Sequence, residues 1–379
     1  MRTTSAEKKE TQMNESKSCE YDPKEFRKFL EGQMHIKPGS AYSYVSYVNK
    51  ASQLLGKDIR KLAQDDASLE AEIDRIALLG GSRNWKYGLI ALYRYYNDGK
   101  DPRSVNANER IVTEAELQSI VSVDGEYIED LDTKIFRYMP LERYYNLIED
   151  GYNALTHISH WEDPYEGFIY RGGLDGADVS TQDRIYNIYK SVYGQSWTIM
   201  KGESDVLWRA MANGERGDLV RVQTTVRKLA KSILNAVGDK PSKCSLAGTM
   251  KIGRIEYKGE TEFCEMLSAE NLETLIDNAA VDRQLDFLFF KRLEFEAEKE
   301  VRLAVFADRS CIDRSKCKRG DLLKFDVDPS ELVESVLADP CMDRRKYEQL
   351  ICRTKFALSD EVGIDLIRKS QLFNWPVVR

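Results

Sequence analysis

Apolar residues in the first hundred positions recur at helical spacing. Asp22-Pro23-Lys24-Glu25 combines a capping residue, a proline at the first helical position and an acidic first turn, and Phe26, Phe29 and Leu30 supply the apolar face that follows. The pattern stops by Lys37-Pro38-Gly39. Ser40 then caps a second helix with Ala41, Val45, Val48 and Leu55 on one face, which Gly56 ends. Shorter helical stretches fall at 59–62 and 69–78, and Ser82 opens a last helix bearing Trp85, Leu89, Leu92, Tyr93 and Tyr96, closed by Asn97-Asp98-Gly99. Residues 22–98 are therefore predicted to form an all-α helical bundle, and residues 1–21, polar and without periodicity, a disordered tail.

Residues 99–112 are polar and unpatterned for most of their length, as an interdomain linker is. Beyond them the pattern alternates between periods of two and of 3.6, which predicts an α+β domain over 113–379. Thr113 and Glu116 form a capping box, and Asp124-Gly125 between two short apolar runs predicts a hairpin. Strands are predicted at 135–139, 168–171, 218–223, 252–257, 300–306 and 323–327, and helices at 142–149, 205–211, 226–234, 270–277 and 344–352.

Composition narrows the class. The chain has 379 residues, 42% hydrophobic and 31% charged, which suits two folded domains. Seven scattered cysteines with no CxxC pair read as reduced thiols, and a net charge of -7 argues against nonspecific coating of nucleic acid. No apolar run reaches the roughly 18 residues of a membrane span and the start of the chain lacks a signal-peptide core, so the expectation is a cytoplasmic protein with no membrane partner. His157-x-x-His160, with Asp163 and Glu166 after it, matches no closed zinc site, and no metal is expected.

Three resemblances add expectations. Residues 22–98, with SAYSYVSYVNKASQLLG and RNWKYGLIALYRYYND, resemble the core-binding module of phage-type integrases, which implies a partner protein or nucleic acid for this module. Twelve Lys and Arg against ten Asp and Glu make it nearly neutral, and its tyrosines at 42, 44, 47, 87, 93, 95 and 96 suit packing as well as base stacking. IFRYMPLERYYNLIEDG (135–151), DPYEG (163–167), SDVLWRAMANGERG (204–217) and FFKRLEFEAEKEVRLAV (289–305) resemble a bacterial family called domain of unknown function 2971, with Met211 where relatives usually carry an aromatic residue. Tyr170-Arg171-Gly172, Ser196-Trp197-Thr198 and Glu298-Lys299-Glu300 are, in order, similar to the arginine, serine and glutamate motifs of ADP-ribosyltransferases. That similarity implies NAD as substrate and a bacterial enzyme of phage defence or toxin-type regulation.

The chemistry fits these residue types. On a strand Glu298, Glu300 and Arg302 share a face. Cleaving nicotinamide from ribose builds oxocarbenium charge, which Glu300 would stabilise, while Glu298 would deprotonate or position an acceptor. Arg171 or Arg137 would bind the pyrophosphate, Ser196 belongs to the serine motif, and Tyr138 or Trp208 would stack on a cofactor ring. Plainer readings stand beside each: a solvated ladder of ion pairs for Glu298, Glu300 and Arg302, carboxylate-paired arginines, a core Trp208, and a simple turn at 163–167. Two other functions compete. One is a noncatalytic ligand- or nucleic-acid-sensing protein, and the other is a metal-dependent nuclease built on Asp239, Glu256 and Lys258.

Overall fold

The computed structural model describes residues 21–34, 38–63, 66–80, 85–97, 111–167, 179–212, 216–237, 248–266, 285–307, 318–319, 322–358 and 366–374. The chain divides into two compact units, Met1–Asn108 and Glu109–Arg379, and the division falls within the polar stretch that follows the helical pattern.

In the first unit Asp22 caps where the sequence places it, Ser40 lies inside its helix, and Ser82 lies outside the described residues. Asp22 accepts from the Lys24 amide at 2.7 Å, and α1 (Pro23–Gly32) buries Phe26 and Leu30. The second helix, α2 (Pro38–Leu55), begins two residues before Ser40, because a proline is as acceptable as any residue in a first turn whose N–H groups lack intrahelical partners. α3 (Asp66–Leu78) and α4 (Trp85–Tyr96) complete the bundle. A Cβ on Gly88 of α4 would stand 2.8 Å from the Tyr47 Cβ and 3.0 Å from the Val48 amide, so this glycine lets α4 lie against α2. Most of the tyrosines pack. Tyr87 and Tyr93 are buried, Tyr95 meets Phe26 and Phe29 edge-on, and Tyr42 stays exposed beneath the Arg27 guanidinium.

The second unit is α+β. It opens on α5 (Glu114–Ile120), where the Thr113–Glu116 capping box forms as read. No hairpin follows: Asp124 turns the chain by accepting the amides of Glu126, Tyr127 and Ile128, and Val121 bridges to Ile252 instead. The strands in chain order are β1 (Lys134–Pro140), β2 (Tyr152–His157), β3 (Val192–Thr198), β4 (Leu219–Thr225), β5 (Gly248–Arg254), β6 (Glu256–Lys258), β7 (Phe290–Arg292), β8 (Glu300–Ala307), β9 (Lys318–Arg319), β10 (Leu322–Asp326), β11 (Ser335–Ala338) and β12 (Ile367–Lys369). The run predicted at 252–257 is two strands, for the chain leaves β8 after Arg254 and β6 pairs with β7 in a separate small sheet. The predictions at 168–171 and 270–277 lie outside the described residues.

Ten of these strands make one mixed sheet along the path β12-β11-β4-β1-β3-β2-β10-β9, with β8 on the other edge of β3 and β5 beyond it. One face carries Ile135, Met139, Trp197, Val220, Val222, Val301, Leu303 and Val305, the main core. α6 (Leu141–Asp150), α9 (Val226–Asn235) and the helix Arg344–Leu358 contribute to this core. Of the helices between, α7 spans Val179–Tyr189 and α8 Asp205–Ala210. Among the described residues no helix is long and apolar enough to cross a membrane.

Candidate functional site

The opposite face of the sheet holds two small apolar clusters with polar groups between them. One gathers Ile158, Ile188, Ile255, Leu288, Phe289 and Ala304, and the other Tyr138, Leu207, Trp208 and Leu219. β3 is the strand on which this face opens. Its full length pairs with β8, but on its other edge β1 meets it only at Thr198 and β2 only at Tyr193 and Gly194. Ser196 lies where β1 and β2 part, and it is exposed although its strand is central.

Beside Ser196 stands a buried charge cluster. Arg302, directly opposite Ser196 on β8, donates Nε to Glu300 Oε1 at 2.7 Å and Nη2 to Glu300 Oε2 at 2.9 Å and Glu166 Oε2 at 2.8 Å, while Nη1 reaches the Leu288 carbonyl at 2.6 Å. The Trp161 ring covers its guanidinium at 4.4 Å. Lys291 of β7 lies 2.6 Å from Glu298 Oε2, 3.4 Å from Glu300 Oε2 and 3.1 Å from Glu166 Oε1. Glu300 and Arg302 are each 1% exposed, so this is no solvated ladder. Three carboxylates against two cations leave the cluster one negative charge in excess.

Glu298 and Glu300 do not share the strand face that their spacing predicted. Glu298 is not in the strand: it ends the 3-10 turn Leu293–Glu298, and Lys299, at φ 44°, turns the chain before β8 begins at Glu300. Alternation along a strand thus does not bring the two carboxylates together. Lys291 does. Thr198 fixes the turn by donating Oγ1 to the Glu298 carbonyl at 2.6 Å.

The environments push the two acids apart. Burial raises Glu298, whose side chain keeps 30% exposure; Lys291 opposes this, and the charges of Glu300 and Glu166 add to it. Burial also acts on Glu300, but Arg302, Lys291 and a hydrogen bond from Ser196 outweigh it and hold its carboxyl below the usual range. Lys291 is held above its ordinary value because Glu300, Glu166 and Glu298 outweigh its own burial. Such a pair offers one carboxylate that stays ionised and another that exchanges protons nearer neutral pH.

The remaining predicted residues divide. Arg171 lies outside the described residues. Arg137 pairs across β1 and β4 with Val222 and points, with Ile135 and Met139, to the face opposite Ser196 and Glu300. There burial and the neighbouring Arg143 lower its guanidinium to about 9. Tyr138 and Trp208 share the correct face but are buried on one another, ring centroids 4.7 Å apart and edge to face, with Trp208 Nε1 donating to Glu203. Neither ring presents an open face for stacking.

Glu166 and Lys291 were missed by sequence reasoning, although both lie in quoted motifs. The 163–167 segment is a turn, with the Glu166 amide donating to the Asp163 carbonyl at 3.1 Å and Gly167 at φ 64°, and that turn delivers Glu166 into the cluster. His157 is occupied by Ser159 and the Tyr189 carbonyl. Glu256 pairs with Lys258 at 3.3 Å, Asp239 lies outside the described residues, and among the described residues no group of three or more His, Cys, Asp or Glu is placed to hold a metal.

Gly194 supports the cluster from beneath. A Cβ there would meet the Trp161 ring at 2.5 Å, and Trp161 is held between this backbone and Arg302. Gly194→Ala should therefore cost about 1–3 kcal/mol through overpacking. Thermal unfolding should show it as a lower melting temperature, and an unchanged value would show that Trp161 moves freely.

Comparison with protein-family models, curated proteins and solved structures found no match to the chain.

Proposed function

We propose that the C-terminal unit is an ADP-ribosyltransferase-like enzyme that cleaves the bond between nicotinamide and ribose in NAD. The observation that carries this reading is the pair Glu298 and Glu300, joined by Lys291 yet pushed in opposite directions of proton affinity, beside the exposed Ser196. The C1'–N bond breaks with its electron pair leaving on nicotinamide, which departs neutral. Glu300, kept ionised, stabilises the positive charge that develops on the ribose, and Ser196 orients it. Glu298 takes the proton of the acceptor, a protein or nucleic-acid group, as that acceptor attacks C1', whereas water attacks slowly without its help. The order of the motifs supports the same reading, since the strands bearing Ser196 and Glu300 are edge-to-edge neighbours. Within this proposal the N-terminal bundle brings a protein or nucleic-acid partner, and the setting is bacterial cytosol, in phage defence or toxin-type regulation.

One observation favours a second reading, noncatalytic recognition of a nucleotide. Both oxygens of Glu300 are bound by Arg302 in a buried ion pair, a geometry that also serves as pure scaffolding. Two measurements on the full chain separate the readings: nicotinamide release from NAD, and the thermal shift with NAD and ADP-ribose. Release establishes the enzyme. A shift without release selects recognition, and neither at millimolar ligand ends both.

A further inference from the structure

Another cation on the site's face, beyond Arg302 and Lys291, has no carboxylate bound to it. Arg221 of β4 lies opposite Tyr138 of β1, and the shared register of Phe136 with Gln223 and with Thr198 puts Arg221, Phe136, Thr198 and Glu300 on one face across four neighbouring strands. Its guanidinium stacks on the Phe136 ring at 3.9 Å. Only Nη2 is engaged, donating to the carbonyls of Met200 and Lys201, whereas Nε is buried with no acceptor. Nη1 makes no hydrogen bond among the described residues either.

Arg221 is 7% exposed, and no salt bridge to it occurs among the described residues. The nearest carboxylate influence is Glu203, which binds Trp208 Nε1 and Ser370 Oγ instead. Burial lowers the Arg221 guanidinium, with Tyr138 and Glu203 opposing. Taking a cation out of water without a bound anion is costly, and two carbonyls and a ring face offset only part of that cost. A planar fork with free N–H donors is suited to two oxygens of one phosphate.

We infer that Arg221 is the anion subsite of this sheet face, holding a phosphate of the nucleotide whose ribose sits at Glu300. The inference rests on the proposed function for the nucleotide's identity and deepens it. Neighbouring strands are about 4.8 Å apart, so the three steps from β4 to β8 cover about 14 Å between backbones, a gap that an arginine side chain and a ribose phosphate bridge together. Arg137, on the other face, cannot fill that role for the same molecule.

The test is titration calorimetry of the full chain with ADP-ribose, and competition by inorganic pyrophosphate. Arg221→Met should weaken ADP-ribose binding at least tenfold. Pyrophosphate should compete with ADP-ribose in the wild type and not in the variant, a difference that a merely structural role would not produce. Unchanged affinity in a variant folded by circular dichroism overturns the inference, as does wild-type protein that binds no ADP-ribose at millimolar concentration or binding that pyrophosphate does not contest. Should Arg221→Met not fold, Arg221→Gln, which keeps a donor for the Met200 carbonyl without the charge, stands in under the same criterion. Arg221-dependent binding by a protein that releases no nicotinamide would leave this inference standing and remove the catalytic reading.

Discussion

Arg302→Met should lower the stability of the C-terminal unit by about 3–5 kcal/mol, since removing one partner leaves buried carboxylates uncompensated. The side chain is 1% exposed and joins Glu300, Glu166 and the Leu288 carbonyl, so no solvent replaces it. At roughly 2–4 °C per kcal/mol for a domain of this size, the melting temperature should fall by about 10 °C. Adding Glu166→Gln should recover part of the loss, because the two changes remove one interaction. The pH dependence has a definite sign. Glu300 is held below the usual carboxylate range, so its contribution is present above the ordinary glutamate value and lost as pH falls through its depressed one. Arg302→Met should blunt that acid limb. A loss under about 1 kcal/mol would mean that the cluster is as weak as a surface ion pair.

The parts of this architecture that were legible in the sequence are those encoded locally. The Asp22 cap, the Thr113–Glu116 box and the alternation of 300–306 each depend on residues within a few positions of one another, and each forms. β2 and β3 were not predicted as strands from pattern alone, for Tyr152–His157 and Val192–Thr198 carry Asn, Thr, Gly, Gln and Ser at positions that a simple apolar alternation would not place in a sheet. Those residues have partners far along the chain: Gln195 binds Asn153 and the Ala154 carbonyl, and Gly194 accepts the Trp161 ring. The same limit governs the site. Glu298 and Glu300 were paired by strand alternation, but a left-handed Lys299 intervenes and a lysine from another strand joins them. Arg137 was named and Arg221 was not, because only register reveals which face of a sheet a residue takes.

Glu300→Gln should lower nicotinamide release by about a hundredfold or more while leaving ADP-ribose affinity nearly intact, since its charge acts on the transition state. Glutamine keeps an acceptor for Arg302, so circular dichroism should report a folded chain; the missing charge also brings the cluster from one excess negative charge to none. Glu298→Gln should behave differently. It removes the proton acceptor of the second partner, so transfer to an acceptor stronger than water should fall while release of nicotinamide by slow hydrolysis persists. The wild-type transfer rate should rise with pH through an apparent pKa above the ordinary glutamate range, because burial raises Glu298 and transfer needs it deprotonated. That limb should vanish in Glu298→Gln and survive, at lower amplitude, in Glu300→Gln. The measurement is nicotinamide release and acceptor labelling across pH for the wild type and both variants. If Glu300→Gln released nicotinamide at the wild-type rate, the carboxylate beneath Ser196 would be scaffolding and the reacting centre would lie elsewhere.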